Sequence, residues 1–157
     1  MVHRSVLALA LSGHGFSLAE LLVVMAIISI VSATSVPWLI TYWRAATTKA
    51  AAQELASGLN SARQLAVAKA QSVCFEVSGS QYRFRLGGCT GTIWTGPGSS
   101  ADGLFRLANN IALTTNVNPV FDYLGAAVPG ATLTVTNPQG SLSRTVVVSP
   151  SGRVQVQ

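Results

Sequence analysis

Residues 16–36 read FSLAELLVVMAIISIVSATSV, an apolar run in which Glu20 is the single charge. A helix rises 1.5 Å per residue, so about 20 residues cross one hydrocarbon core of about 30 Å. The run reads as a membrane-spanning helix. A carboxylate in such a segment is costly unless it finds a partner or rests at headgroup level, which singles out Glu20. Pro37 follows at once, and a proline removes one helical hydrogen bond and clashes with the preceding turn, so a kink or local melt is expected there. Trp38, Tyr42 and Trp43 equally suit an aromatic belt at a simple membrane exit.

Beyond the belt a helical pattern resumes in ATTKAAAQELASGLNSARQLAVAKAQS, residues 46–72. Leu55, Leu59, Ala62, Ala66 and Ala70 recur at helical spacing and define an apolar face, with Lys49, Gln53, Glu54, Arg63 and Lys69 mostly off it. That face is expected to pack on a sheet. After Ser72 the period changes to two, with candidate strands at 73–78, 81–86, 104–107, 111–114, 120–124, 131–136, 144–149 and 153–156. Turn clusters such as Gly79-Ser80, Gly96-Pro97-Gly98 and Pro150-Ser151-Gly152 separate them. Within 82–86, Arg83 and Arg85 share a face opposite Tyr82 and Phe84. The fold class is α+β: a long N-terminal helical stem, half membrane and half amphipathic, packed on an antiparallel β-sheet domain. The expected organisation is a leader over 1–15, an assembly helix over 16–36, an amphipathic stem over 37–72 and a β domain over 73–157.

Composition narrows the function. A chain of 157 residues suits one domain plus one membrane or targeting segment, and 49% hydrophobic against 10% charged residues excludes charge-driven disorder. The only histidines, His3 and His14, lie in the first fifteen residues. Their position argues against a histidine triad, a histidine-ligated metal or a histidine base in a processed chain. Besides Glu20, the acids Glu54, Glu76, Asp102 and Asp122 show no catalytic spacing, and no G-x-x-x-x-G-K-[ST] loop is present. No enzyme, cofactor or metal site is expected.

The stretch Gly15-Phe16-Ser17-Leu18-Ala19-Glu20-Leu21-Leu22 resembles the processing and assembly signal of type IV prepilins and type II secretion pseudopilins. The resemblance implies cleavage after Gly15 by a prepilin peptidase, methylation of the new N-terminal Phe16, and pairing of Glu20 with the N-terminal amine of a neighbouring subunit. Such a pairing would offset the desolvation of both charges in the bilayer. The leader is longer and more apolar than is usual in that family, with His14 rather than Lys or Arg beside the glycine. An ordinary signal peptide cut near Val31-Ser32-Ala33 is the rival, but its h-region would open with a glutamate. Phe121-Asp122-Tyr123-Leu124-Gly125 and the run from Arg144 through Pro150-Ser151-Gly152-Arg153-Val154 resemble the ending of the GspH/FimT group of minor pseudopilins and minor pilins. The region 90–118 matches no pattern.

Two functions follow from the resemblance. In the first, the chain is a structural subunit at or near the tip of a type II secretion pseudopilus or type IV pilus. It would be anchored once in the inner membrane with its C-terminal domain periplasmic, and partnered by other major and minor pilins. In the alternative it is a pilus-associated DNA receptor for natural transformation. Some FimT-type pilins carry Gly-Arg-x-Arg at their end, whereas this chain has Gly152-Arg153-Val154-Gln155, lacking the second arginine. Arg83, Arg85, Arg144 and Arg153 are its candidate phosphate contacts, and they would bind weakly and salt-sensitively. In an oxidising periplasm Cys74 and Cys89, at opposite ends of the first hairpin, would close one disulfide contributing about 3 kcal/mol; the alternative is two thiols with Cys74 buried.

Overall fold

The computed structural model describes residues 17–157. The chain up to Ile40 forms one compact unit and Thr41–Gln157 a second. A single helix, α1 (Leu18–Lys69), contributes to both. It contains Pro37 without ending there, so the backbone does not melt at the proline. In the second unit α1 buries Thr48, Ala51, Ala52, Leu55, Gly58, Leu59, Ala62 and Ala66. Small residues dominate this stripe and let the helix backbone approach the sheets.

The expected face ends one turn early. Ala70 is exposed and takes a left-handed conformation at φ 52°. Gln71 N donates to Ala66 O and Ala70 N to Val67 O, both at 3.2 Å, the paired bonds of a Schellman cap. Ala70 therefore terminates the helix instead of packing beneath it.

Two antiparallel sheets follow. The first contains β1 (Val73–Ser78), β2 (Gln81–Leu86), β3 (Thr92–Ile93), β4 (Leu104–Arg106) and β6 (Val120–Phe121). Its order is β3-β2-β1-β6, and β4 shares the outer edge of β2 with β3. The second runs β5 (Ala112–Thr115), β7 (Ala131–Thr136), β8 (Ser143–Val148), β9 (Val154–Val156). The expected strand at 120–124 stops at Phe121, because Asp122 Oδ1 accepts from Leu124 N at 2.9 Å and Ala126 N at 2.8 Å and turns the chain. Alternation holds where it was clearest: Ala131, Leu133 and Val135 of β7 are buried, as are Tyr82 and Phe84 of β2. With the buried side of α1 these form one core cluster, in which Phe75, Phe121, Leu55 and Leu59 are the largest fully buried side chains.

Candidate functional site

The N-terminal unit presents its chemistry outward. Glu20 lies in the first turn of α1, where unsatisfied backbone N–H groups favour a carboxylate. It is exposed and has no ion-pair partner among the described residues. Gly15 and Phe16, the expected processing residues, lie outside the described residues. From Leu18 to Trp43 the large apolar side chains point away from the protein's interior, Leu21 being 55% and Ile30 68% exposed. The helix is long and apolar enough to cross a membrane. Two of its hydroxyls bond back to the helix backbone, as suits an apolar surrounding: Ser29 donates to Met25 O at 2.7 Å and Thr34 to Val31 O at 3.0 Å.

In the domain, the four candidate arginines separate into two pairs. Arg83 and Arg85 stand on the outer face of β2, and both are held by Glu76 of β1. Arg83 makes a forked contact, Nε to Oε2 at 2.7 Å and Nη2 to Oε1 at 3.0 Å, and Arg85 Nε bonds Oε2 as well. Arg85 Nη1 also donates to Gly91 O at 3.0 Å. The hydrogen bond from Arg83 leads in holding the Glu76 carboxyl down at about 2. These two arginines are consumed by a structural cluster. The sequence held the signal: a two-residue turn at Gly79-Ser80 sets Ser78 opposite Gln81, which brings Glu76 opposite Arg83.

Arg144 and Arg153 remain exposed. Arg144, on β8, lines a groove with Lys49 and Gln53 of α1 and Val156 and Gln157 at the end of β9. Lys49 was legible only as a residue off the apolar face of the helix. Arg153 follows the tight turn between β8 and β9 and does not line that groove. No cluster of three His, Cys, Asp or Glu that would hold a metal ion occurs among the described residues. Cys74 and Cys89 are joined, with Cα atoms 4.9 Å apart, tying β1 to the glycine turn after β2.

The two C-terminal signature segments meet in space. Gly152, at φ 78°, sits so tightly against Gly125 that a Cβ there would overlap the Gly125 carbonyl oxygen. Ala127 N donates to Pro150 O at 3.0 Å across the same junction. Arg63 of α1 closes it from the helix side, its Nε only 2.8 Å from where a Cβ on Gly125 would stand. Positive φ and close approach together require glycine at both positions. The contact joins the end of β6 in one sheet to the β8–β9 turn of the other.

An apolar, membrane-length helix whose continuation forms the spine of an antiparallel sheet domain defines a type IV pilin-like protein. Residues 51–152 match the family described as Type II transport protein GspH, and residues 11–36 match the prokaryotic N-terminal methylation motif. The chain belongs to the GspH family. Comparison with curated proteins gives no match. The type IV minor pilin FimU of Pseudomonas aeruginosa aligns at 20% identity over 69% of this chain and 91% of its own, with TM-score 0.51. The minor pseudopilin EpsH from the Type 2 Secretion System of Vibrio cholerae aligns at 13% identity over 70% and 95%, with TM-score 0.53. At these identities the likeness is one of fold. The family match identifies a pilin-like structural protein whose N-terminal helix is long and apolar enough to cross a membrane.

Proposed function

We propose that the chain is made as a prepilin, cut after Gly15 by prepilin peptidase, methylated on Phe16 and built into a pseudopilus or pilus at or near its tip. Before assembly it spans the inner membrane once, with the domain from about Thr47 onward in the periplasm. The observation that carries this reading is the exposed Glu20 carboxylate, without an ion-pair partner among the described residues, at the start of an apolar helix that continues into a GspH-family domain. A free N-terminal ammonium on a neighbouring subunit would supply the missing charge at low dielectric. N-terminal mass spectrometry of the membrane-extracted protein tests it: the expected first residue is methylated Phe16, and a chain beginning at Thr34 would end this reading.

A second reading, DNA reception, draws support from the groove where Lys49 and Arg144 stand together. Two convergent cations with Arg153 nearby in sequence would contact few phosphates, so binding would be sequence-independent and steeply salt-sensitive. A salt titration of duplex binding by the full chain in detergent checks it. Arg144→Ala is expected to weaken binding and flatten the salt slope, while Arg83→Ala, lost from the Glu76 cluster, is not. Absence of binding at low salt would remove this reading.

A further inference from the structure

A cleft of about 340 Å³ opens beside α1, walled by Glu54, Ser57 and Ser61 on the helix, by Tyr82 and Phe105 on the first sheet, and by Trp94 just after β3. The helix covers the inner face of that sheet only in part. Gly58 presses directly on Tyr82, whose hydroxyl oxygen lies 2.8 Å from the position a Cβ would take. Beyond Tyr82 the aromatic face continues uncovered. Phe105 stacks on Tyr82 with centroids 5.2 Å apart, Trp94 stacks on Phe105 at 6.3 Å, and both outer rings are only half-buried. Trp94 is fixed in place: its backbone N–H donates to Phe84 O at 2.9 Å and its ring folds over Gly96, where no side chain would fit. Trp94 and Phe105 both come from 90–118, a stretch without a recognised sequence motif that the GspH family match nonetheless spans.

Glu54 is the one formally charged residue among the described residues that line the cleft. Aromatic faces are negative, and Glu54 is an exposed carboxylate with no ion-pair partner among the described residues. The Ser61 hydroxyl already donates to Ser57 O at 3.0 Å, so its oxygen has only acceptor capacity left. No Lys or Arg lines the cleft among the described residues. Such a site repels anions and suits a planar cation that stacks on a ring while donating to a carboxylate, the chemistry of a guanidinium. A free cation would lose its translational freedom for a few weak contacts, whereas a side chain already tethered in an assembly loses far less.

We infer that this cleft receives an arginine side chain from a neighbouring protein subunit, stacked on the Trp94–Phe105 wall and hydrogen-bonded to Glu54. The choice of a subunit as the source rests on the assembly reading above; the cleft's preference for a guanidinium does not. The test uses the full chain in uncharged detergent, labelled with 5-fluorotryptophan in a Trp38→Phe, Trp43→Phe background, so that Trp94 alone reports. Titration with acetyl-glycyl-arginyl-glycinamide is expected to shift the Trp94 resonance saturably. Glu54→Gln should weaken binding about threefold, as for an exposed ion pair, and added salt should weaken it further. Phe105→Leu should weaken it more than Glu54→Gln does, and an unchanged fluorine position in each unliganded variant would report an intact cleft. An unmoved resonance, or equal binding of the citrulline peptide, would overturn the proposal. Stronger binding of tetramethylammonium than of the arginine peptide would also overturn it, in favour of a free-ammonium site. Failure here leaves the methylated Phe16 test untouched, so the two readings fail separately.

Discussion

The two halves of α1 share a backbone and have opposite fates. Up to Ile40 no large apolar side chain of the helix is buried; from Thr48 to Ala66 eight residues are. The difference lies in how apolar residues are arranged. The first half is apolar all round and needs an apolar surrounding, whether lipid or other helices. The second half concentrates small and apolar residues on one stripe and supplies its own surrounding from the sheets. Their acids do not follow this division: Glu20 in the first half and Glu54 in the second both lack an ion-pair partner among the described residues, whereas Glu76 of β1 is held by two arginines.

The strongest test of this contrast is a matched pair of truncations. Leu59→Ala is expected to destabilise the domain by about 3 kcal/mol, through lost burial and a cavity in the core. Ile27→Ala should leave the urea midpoint of the same full-length protein in detergent unchanged. Equal shifts in the two variants would break the comparison.

A smaller effect is expected at Glu76. Glu76→Gln should cost about 1 kcal/mol near neutrality, as expected for a half-exposed cluster screened by solvent. The Glu76 carboxyl is lowered on folding from 4.5 to about 2. Its contribution is thus complete above about 4.5 and is lost as pH falls toward about 2. Wild type and variant should converge over that window, and a constant gap in urea midpoint would contradict the linkage.

The smallest effect is expected at the end of the helix. Ala70→Gly should stabilise the domain by roughly 0.5–1 kcal/mol, because the left-handed cap strains an alanine but not a glycine. A loss of stability would show that Ala70 packs where the sequence pattern first placed it.

Much of this architecture was legible from period alone. The strands 73–78, 81–86 and 131–136 have the expected limits, because local alternation and flanking turn residues determine them. The helix was legible for the same reason, although it ends at Lys69 rather than Ser72 and runs through Pro37. Ala70 continues the spacing of the apolar face, and only backbone conformation reveals it as a cap. Partition into two sheets was not legible, since it depends on which edges meet across 90–118, where β3 and β4 are too short to carry a period. At the candidate sites, local pattern placed both cysteines of the disulfide. It did not show that Arg83 and Arg85 pair with Glu76, which is decided by register across the hairpin rather than by residue type. The Gly125–Gly152 contact was visible as two family-like segments, but nothing local indicated that they touch.

The burial of α1 between Thr48 and Ala66 also has a mechanical meaning. Were the subunit held by its N-terminal half, as the proposed assembly would hold it, tension would run along this helix. Because the helix belongs to the domain's core, that tension would load a row of eight buried positions in shear instead of peeling the domain from a single attachment point. Leu55 and Leu59, set among alanines and Gly58, are the large side chains in that row and would bear most of the load.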